Sequence, residues 1–135
     1  MANAMYTKAL QAFLKGEINW EGDTIKAVLV DYASYTPNLV TNQFLNDIPS
    51  IARIAISPAL GAKTAINGVA DADDVTFPSV NGNQSEGLVL VKDTGDESTS
   101  PLICLIDTAN GLPVTPTGGD ITIIWDNGSN KIFRL

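Results

Sequence analysis

Ile121-Thr122-Ile123-Ile124-Trp125-Asp126-Asn127-Gly128-Ser129-Asn130-Lys131-Ile132-Phe133-Arg134-Leu135 closes the chain and sets the expectation for the rest of it. β-Branched and aromatic residues run from Ile121 to Trp125, a cluster of Asp, Asn, Gly and Ser follows, and a second apolar run ends on Leu135. That is the pattern of a β-hairpin. A chain whose last residue is apolar, with no polar overhang, is expected to have its terminus tied into a sheet. The closing strand is therefore read as core, and loss of the final five residues as fatal to folding. Alternation sets Trp125 on the same face as Ile121 and Ile123, so its indole is expected inside.

The same strand-and-turn grammar continues back along the chain. Leu88-Val89-Leu90-Val91 centres a mid-sheet strand over 85–92, and Leu102-Ile103-Cys104-Leu105-Ile106 is its neighbour. The segment between them, 93–100, has no apolar residue and reads as a solvent-exposed tip, which makes the pair a long hairpin. Lys63-Thr64-Ala65-Ile66 turns at Asn67-Gly68, a strong hairpin signal, into Val69 and onward, with Val75-Thr76-Phe77 strand-like before Pro78. Gly118-Gly119 stands before a strand and suits a turn or bulge.

Nearer the N-terminus, Thr24 to Asp31 alternates and then becomes continuously apolar, as a strand buried on both sides does. Ile51 to Ile56, ahead of Pro58, reads as an edge strand. A short helix is expected from Thr41 or Asn42 to Ile48, stopped by Pro49. From Asn3 or Ala4 to Lys15 the apolar residues recur at three- and four-residue intervals, which predicts an amphipathic helix with Asn3 as N-cap and Gly16 as its stop. The expected architecture is mainly β: a single domain over 1–135, with an N-terminal α-helix within 1–16 and an antiparallel β-sandwich of seven to eight strands over 24–135. A jelly roll is among the arrangements that this spacing allows.

Composition limits the functions available. The chain has 135 residues, 44% of them apolar and only 17% charged, enough for a core without metal or disulfide staples. A net charge of −7, with no two basic residues adjacent, leaves no basic face for phosphate, so neither nucleic acid nor an anionic membrane is an expected partner. No apolar stretch approaches a bilayer span and no signal region precedes the fold, so the protein is expected to be made in a cytoplasm-like compartment.

Chemistry-bearing constellations are few. Asp71, Asp73 and Asp74 lie within four residues, and alternating carboxylates on a loop can converge on calcium. They lack the Gly and terminal Glu of the helical calcium loop, and a solvated turn is the simpler reading. Carboxylate pairs suited to glycoside hydrolysis arise by chance in a chain with 15 acids. With no histidine to activate Ser, Thr or Cys104, no catalytic residue and no cofactor site is expected, and Cys104 reads as a small core hydrophobe. Met5 and Tyr6 on the helix, and Tyr32 and Tyr35 beside a loop, are the candidates for contact with a partner. The latter two are the better platforms for stacking a sugar.

Four segments together carry a resemblance: Phe44-Leu45-Asn46-Asp47-Ile48-Pro49, Asp71 through Phe77, Lys92-Asp93-Thr94-Gly95, and Gly111-Leu112-Pro113-Val114-Thr115-Pro116 through Phe133. With them the chain resembles a family of short, mostly uncharacterised virion structural proteins of tailed bacteriophages and prophages. The resemblance brings no catalytic or binding residues with it. It implies a non-enzymatic particle component, made in the host bacterial cytoplasm and carried in the virion. The role implied first is a capsid decoration or cement protein, a symmetric homo-oligomer contacting the major capsid protein or other virion proteins. The second is a tail, baseplate or fibre component with a carbohydrate- or receptor-binding face.

Overall fold

The computed structural model describes residues 4–126, 128, 129 and 131–135. Asn3, expected as an N-cap, and Asn127 and Asn130 in the expected closing turn lie outside the described residues. In chain order the strands are β1 (Ala4–Met5), β2 (Ile25–Val30), β3 (Arg53–Ile56), β4 (Thr64–Ile66), β5 (Val69–Asp71), β6 (Val75–Phe77), β7 (Gly87–Lys92), β8 (Leu102–Ile106), β9 (Ile121–Ile123) and β10 (Phe133–Arg134). One helix, α1 (Thr7–Leu14), follows β1. The protein is thus mainly β and antiparallel, with ten short strands among the described residues where seven or eight were expected.

The centre is a five-stranded sheet in the order β1-β8-β7-β2-β3. Its inner strands β8, β7 and β2 are buried on both faces, which is why they read as continuous apolar runs. Val28, Val30, Val89, Val91, Leu102 and Leu105 face one cluster, closed by Tyr6, Ala9, Tyr35, Leu45, Ile48 and Ala52. Ile25, Ala27, Leu29, Leu88, Leu90 and Ile106 face the other, closed by Phe77, Ile121, Ile123, Trp125, Ile132 and Phe133. The register of β7 on β8 shifts where Leu90 pairs Cys104 and Val91 pairs Leu102, leaving Ile103 as the bulged residue. The bulge lets Ile103 and Cys104 turn to the same cluster. As the edge position of Ile51 to Ile56 required, β3 ends the sheet, and its own register shift and the following Pro58 protect that edge.

The opposing layer is split into a three-stranded sheet, β10-β5-β4, and a two-stranded sheet, β6-β9. Here the expected closing hairpin is corrected: β9 pairs β6, with Phe77 opposite Ile121, and β10 pairs β5, with Phe133 opposite Ala70. The reason lies in side-chain direction. Ile132 and Phe133 are consecutive and both buried, so that run does not alternate as a hairpin partner of Ile121–Ile123 must. Lys131, at φ 44°, breaks the extended path just before it. Leu135, expected inside, is exposed, although its N–H still reaches the Gly68 carbonyl at 3.0 Å. The core role belongs to Ile132, Phe133 and Trp125.

The expected helix at 41–48 is also replaced, by 3-10 turns at Leu45–Asp47 and Ser50–Ala52. Side-chain oxygens take the backbone donors a helix would need: Asn38 Oδ1 accepts from Val40 and Thr41, and Asp47 Oδ2 from Gln43 and Phe44. The N-terminal helix starts at Thr7, later than expected, because Ala4 and Met5 pair with Leu105 and Cys104 as β1. Its stop is as expected. Gly16 adopts φ 72°, and the Glu17 and Gly16 N–H groups bond the Ala12 and Phe13 carbonyls at 2.9 and 3.1 Å, a Schellman closure.

Candidate contact surface

Helix α1 buries its two small residues Ala9 and Ala12, packs Phe13 against Phe133 and leaves both leucines exposed. Ala9 and Ala12 face the molecule, and their short side chains let the helix lie close against β8. Leu10 and Leu14, one helical turn apart, are 41% and 90% exposed. A leucine left in water forgoes about 1.5–3 kcal/mol of burial free energy. Adjacent exposed leucines on one helix face therefore mark a contact surface better than scattered ones do.

Lys8 and Lys15 lie on the flank of α1 away from Leu10 and Leu14. Four other cations are matched, in the pairs Lys26–Asp93 and Arg53–Glu97 at 2.8 Å, Lys92–Asp23 at 3.1 Å and Lys131–Asp71 at 3.9 Å. Lys26 lowers the Asp93 carboxyl below its ordinary value. Lys8 and Lys15 have no ion-pair partner among the described residues. They line a depression of about 370 Å³ with Gln11, Gln43, Phe44, Thr94 and Thr99. On the other side of α1, Phe13, Gly16, Trp20, Ala65, Phe133 and Leu135 line a more apolar depression of about 410 Å³.

Of the four residues expected at a partner surface, Tyr6 and Tyr35 lie in the core, while Met5 and Tyr32 are only partly exposed. Tyr6 is 0% and Tyr35 3% exposed, and their hydroxyls bond each other at 2.8 Å. Tyr35 then donates to Asn42 Oδ1 at 2.8 Å, so each phenol buries its ring and still satisfies its polar end. Burial, reinforced by the bond to Tyr35, pushes the Tyr6 phenol far above its ordinary value. Tyr32 is half-buried, its N–H on Glu86 Oε1 at 2.9 Å and its hydroxyl donating to Asp107 Oδ2 at 3.3 Å. Gly87 makes room for it, since a Cβ there would lie 2.5 Å from the hydroxyl. Met5 is half-buried in β1. Tyr32 and Tyr35 therefore do not form an open stacking groove.

Asp71, Asp73 and Asp74 act as a structural turn. The Asp71 and Asp73 carbonyls accept the Trp20 and Trp125 indole N–H groups at 3.2 and 2.8 Å, and Asp74 Oδ1 accepts the Trp125 backbone N–H at 3.0 Å. Among the described residues no group of three or more His, Cys, Asp or Glu is placed to hold a metal ion. Cys104 is buried, as expected of a core residue, and burial raises its thiol well above its ordinary value.

Sequence reasoning missed Leu10 and Leu14 because periodicity locates a helix's apolar positions without saying which side meets the sheet. The available signal was Ala9 and Ala12, the small pair that permits close approach. No helix among the described residues is long and apolar enough to cross a membrane. No family model matches the chain, and no curated protein matches its sequence.

Proposed function

We propose that the protein is a non-enzymatic structural component of a tailed-phage virion, a capsid decoration or cement subunit that works by protein–protein contact. The virion setting rests on the resemblance of the four segments quoted above. The contact role rests on one observation, the outward leucine pair Leu10 and Leu14 on α1. Burial of Tyr35 removes one wall of the sugar-binding groove that the tail or fibre alternative calls for. The test is immunogold or cryo-electron microscopy of the particles encoded with this chain. Label in many copies on the capsid is the expected result, and label on the tail would replace decoration by a tail role. Particles without the protein would overturn the reading.

A further inference from the structure

Every sheet edge among the described strands is guarded except one. β1 and β10 are 2 residues long, β3 has its register shift and Pro58, β6 runs straight into Pro78, and β9 continues into the bridge between Ile124 and Asn110. Such features discourage the addition of a further strand. The edge strand β4 has none of them: Thr64, Ala65 and Ile66 pair with Asp71, Ala70 and Val69 in unbroken register, without a charge or a proline. Ile66 and Val69 flank the turn at Asn67-Gly68 and so form a hydrogen-bonded pair. Alternation then turns the N–H and carbonyl of Ala65 away from β5, toward the open edge. Ala65 and Ile66 are both exposed.

The same residue meets the apolar depression beside α1. Ala70, opposite Ala65, is buried in the core with Trp20 and Phe133, so the Ala65 side chain lies on that side of the sheet. Phe13, Trp20, Phe133 and Leu135 line the depression of about 410 Å³ with it, and no charged side chain does. The Trp20 indole N–H is already taken by the Asp71 carbonyl. The free polar pair of Ala65 thus stands at the rim of an uncharged hollow.

We infer that β4 and this depression together receive an extended segment of a partner protein, which adds to the sheet along β4 and sets a large apolar side chain opposite Ala65, in the depression. Each half of the site selects against other occupants. A charged ligand finds no counter-charge in the hollow. A docked helix has its backbone bonded within itself and leaves Ala65 unpaired. A second copy that paired its own β4 about a two-fold axis at Ala65 would offer the depression only a methyl group. An added strand satisfies both halves, its main chain bonding the edge and its side chain filling the hollow. The site is separate from Leu10 and Leu14, neither of which lines it, and the inference does not rest on them.

The test is fluorescence anisotropy of a labelled peptide of about nine residues, alternating threonine and valine around one central leucine with a lysine at each end, titrated with the full chain. Binding is expected. N-methylation of the leucine amide removes the donor to the Ala65 carbonyl and is expected to weaken it about tenfold. Aspartate in place of the leucine is expected to weaken it by about tenfold or more. Ala65→Pro should act as N-methylation does with little change in melting temperature, because the N–H it removes faces out of the sheet. Should that variant fail to fold, the N-methylated peptide makes the same test on the wild type. No binding at millimolar concentration overturns the inference, and so does binding indifferent to N-methylation or to the central leucine. A wild type that dimerises through β4 and excludes the peptide, with Ala65→Pro monomeric, overturns it in favour of a second copy.

Discussion

Tyr6 and Leu14 stand at opposite ends of α1 and invert the usual expectation for their types. The polar aromatic is wholly enclosed, with its hydroxyl bonded to Tyr35, while the aliphatic is 90% exposed. Tyr6 sits where β1 hands over to the helix, its N–H on the Ile103 carbonyl at 3.0 Å, so its ring is carried under α1 against the central sheet. Leu14 is the last residue of α1, just before the Gly16 stop. The buried end is satisfied by the chain itself. The exposed end is left in water, and under the proposed contact role that difference separates the residues that make the fold from those that use it.

The comparison breaks most visibly at Tyr6. Tyr6→Ala should cost about 3–5 kcal/mol, by analogy with other aromatic truncations in cores, read as a fall in denaturation midpoint. Trp125→Phe keeps most of the ring volume but strands the Asp73 carbonyl that its indole N–H now meets. A loss of about 1–3 kcal/mol is expected. Alkaline pH probes the same buried end without mutation. Burial holds the Tyr6 phenol above its ordinary value of about 10, so above that pH the unfolded chain releases a proton that the folded chain keeps. This contribution is full below about pH 10 and falls as pH rises beyond it, and the buried Cys104 thiol, raised in the same way, starts the decline at about pH 8.5. Thermal melts from pH 8 to 11 should show the decline, and Tyr6→Phe should make it shallower above pH 10, leaving the part due to Cys104, Tyr32 and Tyr35. Leu14→Ser is the smallest effect on folding, within about 0.5 kcal/mol. A larger change would mean that Leu14 is part of the core after all.

How much was legible in the sequence differs by region. The β7–β8 hairpin could be read because two continuous apolar runs flank a segment without any, and nothing else in the chain competes for them. The β4–β5 turn at Asn67-Gly68 was equally plain, since Asn67 and Gly68 take the positive φ values, 55° and 78°, that such a turn requires. The closing segment misled because the same residue types satisfy either a local hairpin or two separate long-range pairings. Only the consecutive burial of Ile132 and Phe133 decides between them. The acidic segment at 71–74 reads from its residue types as a turn more simply than as a calcium site, but that its carbonyls hold two indoles is invisible to composition. The contact face was hidden for a related reason: apolar periodicity does not distinguish a leucine packed on a sheet from one awaiting a partner.

The most direct test pairs two readings on one variant, the melting temperature of Leu14→Asp and its occupancy on the particles beside the wild type. The account predicts an unchanged melting temperature for the isolated fold and loss of the variant from the particles. A variant that melts far lower, or that occupies the particles as the wild type does, would contradict the assignment of the outward α1 leucines as the working surface.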